Sequence, residues 1–156
     1  MPNPLSDNRK PHLLVVEARF YPEISDLLLK GALKEMERVG ASYELVTVPG
    51  ALEIPVVIQM ANGRKDGGQR FDGYVALGCV IRGETSHYDI VCTESAAGIA
   101  RLALKHSMAI GNGILTCDTE EQAIARASES SYDGGKGAAA VQATLSVLKV
   151  KAQFKV

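Results

Sequence analysis

No run of apolar residues in this chain approaches the roughly 20 that a membrane-spanning helix needs, so no segment is expected to cross a bilayer. Neither sign of charge is in excess: 17 basic residues stand against 18 acidic ones, a formal net charge of −1. That balance leaves no basic stripe to displace counterions from a phosphate backbone, and nucleic acid drops out of the expected partners. The three cysteines, Cys79, Cys92 and Cys117, are odd in number and far apart, without a Cys-x-x-Cys pair. They read as buried reduced thiols of a cytoplasmic protein; a metal or catalytic thiol is the alternative use. Nothing at the start resembles a signal peptide, and the polar, proline-containing residues 1–11 are expected to form a flexible arm. No internal repeat or low-complexity tract stands out.

What is present fits one globular domain over residues 12–156. With 46% hydrophobic residues, a chain of 156 residues can bury roughly two-thirds of its unfolded surface without a metal or disulfide staple. Leu13-Leu14-Val15-Val16 is a short continuous apolar run, the pattern of a strand covered on both faces in a parallel sheet. Ile24, Leu27, Leu28, Gly31, Ala32, Met36 and Val39 then repeat at helical spacing, with Pro22 and Glu23 suited to the first turn and Gly40 to the stop. Residues 43–48 form a second predicted strand, broken by Pro49-Gly50, and Pro55 to Gly63 a short helix. A polar glycine-rich loop over 62–70 leads to a third strand, 74–81, and a long helix, 87–106. A fourth strand over 110–116 is interrupted by Gly111 and Gly113. Asp118-Thr119 with Glu121 or Gln122 resembles a capping box opening a helix to about Ser128, and a last helix covers 138–150.

Strands alternating with helices predict an α/β domain: a four-stranded parallel sheet with helices on both faces, joined by right-handed crossovers. Ligands of such sheets bind outside the carboxyl ends of the strands. The loops there are 17–22, 49–53, 82–86 and 117–119, which gather Phe20, Glu53 and His87 along one edge. The stretch Arg82-Gly83-Glu84-Thr85-Ser86-His87 is the most informative, because backbone amides around Gly83, Glu84 and Thr85 at the positive end of a helix can hold a phosphate. Its plain reading is a helix capped by Ser86 or Thr85, with His87 an exposed first-turn residue. Phe20 can stack on a planar ligand or simply cover the core. Glu53 can hydrogen-bond a polyol or answer a helix dipole. Arg126 and Lys136 are phosphate partners or solvated charges, and the glycines around Lys136 lack the spacing and preceding strand of a Walker loop. His12 and His106 lie at the opposite edge and read as structural.

Three segments taken together carry a resemblance. Val48-Pro49-Gly50-Ala51-Leu52-Glu53-Ile54-Pro55 is the first and Gly78-Cys79-Val80-Ile81-Arg82-Gly83-Glu84-Thr85-Ser86-His87-Tyr88-Asp89 the second. Gly113-Ile114-Leu115-Thr116 with Glu121-Gln122-Ala123 and Arg126-Ala127 is the third. In order and spacing they resemble the lumazine synthase family, over a span from the first strand to the last helix.

The resemblance implies a three-layer, flavodoxin-like domain and the penultimate step of riboflavin synthesis. In that step 5-amino-6-ribitylamino-2,4(1H,3H)-pyrimidinedione condenses with 3,4-dihydroxy-2-butanone 4-phosphate to give 6,7-dimethyl-8-ribityllumazine, phosphate and water. It implies no metal or redox cofactor. Phe20 would stack on the pyrimidine, Val80 and Ile81 would present main-chain groups to its polar edge, and Ala51, Leu52 and Glu53 would hold the ribityl chain. Gly83, Glu84 and Thr85 with Arg126 would hold the phosphate, and His87 would move protons. The site would lie between subunits of a homopentamer, with Arg126, Lys136 and the residues around Asn112 coming from the neighbour.

Three departures accompany the match. Asn112 stands where an aromatic residue is frequent, so the neighbour's contact with the ring is expected to be weaker. Ala139 stands where an acidic residue is common, leaving the carboxylate partner of His87 unidentified. The slightly long stretch between Arg126 and Lys136 favours a free pentamer over a sixty-subunit capsid. The competing class is a catalytically weak pentamer that only holds a flavin or lumazine, against which His87 and Arg126 argue. A receiver-like domain is disfavoured because the first strand does not end in a magnesium-binding acidic cluster.

Overall fold

In a parallel sheet with helices on both faces an inner strand has no solvent side, and the apolar run at 13–16 meets that condition. It forms the centre of β1 (His12–Ala18), all of whose residues are buried. The computed structural model describes residues 9–128 and 134–156. After β1 come α1 (Pro22–Val39), β2 (Ser42–Val48), a 3-10 turn (Ala51–Glu53), α2 (Ile54–Asn62), β3 (Gly73–Ile81) and α3 (His87–His106). β4 (Ile110–Cys117), α4 (Glu120–Ala127) and α5 (Gly135–Phe154) complete the chain. The strands lie in the order β2-β1-β3-β4 and all pairs are parallel. This is the three-layer, flavodoxin-like arrangement.

Strand alternation divides the core in two. Leu13, Val15, Val75, Leu77 and Leu115 meet α1, α4 and α5 through Leu28, Met36, Ala123 and Val141. Leu14, Val16, Tyr74, Ala76 and Ile114 face the other way, onto Ile54 and Ile58 of α2 and Ile99 and Leu102 of α3. β2 differs: it is an edge strand, and Tyr43, Leu45 and Val46 stay exposed.

Most helix ends follow the predicted signals. Pro22 opens α1 and Gly40 closes it in the left-handed region. Thr119 accepts a hydrogen bond from the Gln122 amide at 3.2 Å, while the Gln122 side chain accepts from the Asp118 amide at 2.9 Å.

Two boundaries change. Gly111 and Gly113 do not interrupt β4, which runs unbroken, and α5 begins at Gly135 and extends to Phe154. The cause is close approach. A Cβ on Gly111 would stand 1.9 Å from the Ala140 carbonyl oxygen, and one on Gly137 would stand 2.0 Å from that of Leu28. Glycine reads locally as a breaker, yet here it lets α5 settle onto β4 and α1, and that packing outweighs its low helix propensity.

The amino end of the sheet is tied by polar contacts. His12 is buried, stacked on Phe71 with 5.3 Å between ring centroids, and its nitrogens meet Ser42 Oγ at 2.7 Å and Glu44 Oε2 at 2.8 Å. Arg64 binds Glu44 and Asp66 and lies 4.8 Å over the Phe71 ring. Hydrogen bonds from Arg64 first, then His12, hold the Glu44 carboxyl at about 2. His106, the last residue of α3, is exposed. Of the proposed arm, residues 1–8 lie outside the described residues; Arg9 pairs with Asp72 and the Pro11 carbonyl accepts from Ser42.

Gly137→Ala should lower stability by about 1–3 kcal/mol, because the Leu28 backbone rather than a flexible side chain would have to yield. Thermal melting would register this as a drop of about 2–4 °C per kcal/mol, and an unchanged midpoint would rule out the tight α1–α5 contact as described.

Candidate active site

Strand order reverses at β1, whose two neighbours are β2 and β3. β1 feeds α1 on one face of the sheet, whereas β3 feeds α3 on the other, so the loops after them part and leave a crevice at the carboxyl ends. β3 also outruns β1. Their pairing ends at Glu17 and Leu77, but β3 continues to Ile81, so alternate main-chain groups of the overhang face the gap instead of a strand.

A cavity of about 370 Å³ occupies this gap, within the range of small-ligand sites. Phe20 and Tyr21 form one wall, Val80 and Ile81 the floor, and Ala51, Leu52 and Glu53 the lip contributed by the 3-10 turn. Gly83, Thr85 and His87 close the opposite side. Phe20 leaves 71% of its surface exposed, resting edge-on against Tyr21 with centroids 5.0 Å apart. A ring so little used by the core is available to a planar ligand.

Of the two expected caps of α3, Ser86 has helical dihedrals and makes no side-chain cap bond, whereas Thr85 Oγ1 accepts from the His87 amide two residues on, at 3.3 Å. Among the described residues, the amides of Gly83, Glu84 and Thr85 have no protein acceptor, and the space beside Gly83 is open. Free amides at the positive end of a 20-residue helix suit an anion. Arg82 fixes where the turn begins. Its amide donates to the Cys117 carbonyl at 2.9 Å, its Nε donates to Asp118 at 2.9 Å, and its guanidinium lies 4.3 Å over the Tyr88 ring, near Asp89.

Several lining groups are kept neutral. Burial pushes the Cys79 thiol up to about 12 and also raises the phenols of Tyr21 and Tyr88. None of these three serves as a base near neutrality. Among the described residues lining the cavity, His87 carries the imidazole.

The remaining predicted site residues do not line this cavity within one chain. Glu84 sits in the anion turn with its side chain exposed. Arg126 is on α4, donating to the Gln122 carbonyl at 3.1 Å and close enough to Cys117 to favour that thiolate. Asn112 is exposed on the α2/α3 face of β4 and accepts from the Ile114 amide at 2.9 Å. Lys136 is in the first turn of α5, where Gly134 and Ala138 abut Gly31 midway along α1. Residues 129–133, on which the reading of the Arg126-to-Lys136 stretch rests, lie outside the described residues.

Tyr21, Cys79, Tyr88 and Val91 also line the cavity and were not picked out as site residues in the sequence. Val91 carried a usable signal, standing four residues after His87 on the same helical face. Tyr88 offered only its adjacency to His87.

The family model for 6,7-dimethyl-8-ribityllumazine synthase matches residues 10–152. The chain belongs to that family. It is 52% identical over 141 residues to 6,7-dimethyl-8-ribityllumazine synthase 1 of Rhizobium meliloti (strain 1021), covering 90% of this chain and 91% of that protein. To the 6,7-dimethyl-8-ribityllumazine synthase of Agrobacterium fabrum it is 52% identical over 143 residues, covering 91% and 95%. The corresponding protein of Methylorubrum populi is 55% identical over 141 residues, covering 89% and 82%. The cavity that topology alone opens is therefore the candidate active site of a lumazine synthase family member.

With its thiol at about 12 against an ordinary 9.0, Cys79 carries about a thousandfold less thiolate at pH 8 than a free thiol. Iodoacetamide at pH 8 should spare Cys79 in the folded protein and label it once the chain is unfolded, as peptide mass mapping would reveal. Equal labelling in both states would contradict a protonated thiol in the cavity floor.

Proposed function

We infer that this chain condenses 5-amino-6-ribitylamino-2,4(1H,3H)-pyrimidinedione with 3,4-dihydroxy-2-butanone 4-phosphate, releasing phosphate and water and forming 6,7-dimethyl-8-ribityllumazine. The observation that carries the reading is the convergence of an exposed ring, a carboxylate, an imidazole and unpaired amides on one cavity. Phe20 stacks on the pyrimidine and the overhang at Val80 and Ile81 meets its polar edge. Ala51, Leu52 and Glu53 hold the ribityl chain. The turn of Gly83, Glu84 and Thr85 takes the phosphate, and His87 passes protons during imine formation, phosphate loss and ring closure.

The assembly is a homopentamer in the cytoplasm, with Arg126, Lys136 and Asn112 supplied to each cavity by the neighbouring subunit. Arg126, Lys136 and Asn112 stand outside the cavity of their own chain, as residues serving a neighbour would. The three free thiols fit a reducing compartment.

Few groups suffice for this chemistry. An amine and a ketone condense unaided once held together; orientation can supply up to roughly 7 to 11 kcal/mol, whereas one acid–base residue typically gives roughly a hundred- to ten-thousand-fold. Mixing the two substrates with the protein should generate lumazine fluorescence, and no turnover would leave only a binding protein. His87→Ala should slow that turnover by about one to three orders of magnitude. Total loss in a variant that still binds the pyrimidine would refute a mechanism dominated by orientation.

Arg126→Ala should raise KM for the butanone phosphate more than for the pyrimidine, since a guanidinium meets phosphate through charge and paired donors. Steady-state kinetics on the native particle, with its mass fixed by sedimentation at five chains, would test both parts. Equal changes in the two constants would remove Arg126 from the phosphate site, and a megadalton particle would reject the free pentamer.

A further inference from the structure

The segment that presents Phe20 is held by a charge network that the proposed chemistry does not use. Glu17 stands at the carboxyl end of β1 with its side chain only 3% exposed. Arg19 Nη1 donates to both its oxygens at 3.0 Å, and Thr47 Oγ1 of β2 donates to Oε1 at 3.1 Å. The other arm of the Arg19 guanidinium pairs with Asp26 in α1 and points at the Pro22 carbonyl, 3.5 Å away. One planar group thus spans β1 and the first turns of α1, and through Glu17 reaches β2.

Phe20 lies between the parts so joined. Tyr21, at the cap position of α1, makes no side-chain cap bond, so the chain between β1 and α1 has few other restraints. Ser25 supplies two, its hydroxyl donating to the Ala18 carbonyl at 3.3 Å and its amide to that of Tyr21 at 2.9 Å. Burial works against the Arg19 charge, and the bonds to Glu17 and Asp26 outweigh it, so the guanidinium stays ionised.

A buried ion pair is a poor source of net stability, since desolvation offsets much of its attraction. Its geometric effect is different. A ring left 71% exposed must be ordered before it can stack, and any freedom it keeps is lost on binding.

We propose that Glu17, Arg19 and Asp26 are positioning residues for Phe20: the fork of Arg19, braced by the two carboxylates, sets the ring in its stacking position before the pyrimidine arrives. The inference rests on the reading of Phe20 as the stacking ring. It predicts an effect on one substrate alone, because the anion turn and His87 are carried by β3 and α3.

Arg19→Lys keeps the charge but cannot bridge both carboxylates as the guanidinium does. It should raise KM for the pyrimidine about 3- to 10-fold, the scale of ordering one side chain, with kcat and KM for the butanone phosphate within about twofold of the parent. Asp26→Asn, at an exposed position, should change the same constant in the same direction by less, and serves where Arg19→Lys fails to fold. Placed on Phe20→Ala, the Arg19→Lys change should add nothing further to KM. An unchanged pyrimidine KM in both Arg19→Lys and Asp26→Asn, equal increases for both substrates, or an undiminished effect on Phe20→Ala would overturn the positioning role. A Phe20→Ala variant with the parent's pyrimidine KM would instead overturn the stacking reading itself, and the inference with it.

Discussion

The length by which β3 outruns β1 governs what the carboxyl edge can offer. Pairing between the two strands stops at Glu17 and Leu77, because the chain then leaves β1 for α1 while β3 continues to Ile81. A strand edge without a partner exposes main-chain donors and acceptors, which is ordinarily a liability. Here the overhang is roofed by Phe20 and Tyr21 on one side and by the turn before α2 on the other. A ligand entering the gap meets amide chemistry below and an aromatic ring alongside. Both depend on the reversal of strand order at β1, since helices leaving on one face only would close the crevice.

The opposite side of the cavity is arranged by charge. The Arg82 guanidinium is taken up by Asp118, Asp89 and the Tyr88 ring, anchoring the start of the turn. The positive character at Gly83, Glu84 and Thr85 then comes from amides and the α3 dipole. In the proposed reaction this turn would meet the phosphate through its amides, with Arg126 of the neighbouring subunit as the second partner.

Elements and their faces were legible in the sequence where local pattern and tertiary packing agree. The run at 13–16, the proline and glycine bounding α1, and the Thr119–Gln122 cap all appear as periodicity and capping predict. The order of loops along the ligand edge followed from topology, which brought Phe20, Glu53 and His87 to one cavity. Reading failed where a residue answers to something distant. Gly111 and Gly137 look like breakers, and the carbonyls of Ala140 and Leu28 lying across the helix contacts explain them; Gly113 is crowded by the Ala76 carbonyl of β3, and Gly135 has a positive φ of 83°. At the start of α3 Thr85 caps only the His87 amide and Ser86 none, so among the described residues the amides of Gly83, Glu84 and Thr85 keep no protein acceptor, which no local rule announces. Tyr88 and Cys79 enter the cavity through the third dimension alone.

Charge balance bears on the second chain proposed for the site. Arg19 and Arg82, which adjoin cavity-lining residues in the sequence, are each engaged by two carboxylates of their own subunit. Diverting either to a phosphate would strand a carboxylate, and for Arg19 that carboxylate is the buried Glu17, whose desolvation would then go uncompensated. Arg126 lies on α4, where it donates to the Gln122 carbonyl at 3.1 Å. On α4 it does not line the cavity of its own chain, which is why the proposed pentamer assigns it to a neighbour's site. In the proposed pentamer the phosphate half of each site would thereby depend on assembly, while the pyrimidine contacts proposed for Phe20, Val80, Ile81 and the turn before α2 come from one chain and that of Asn112 from its neighbour.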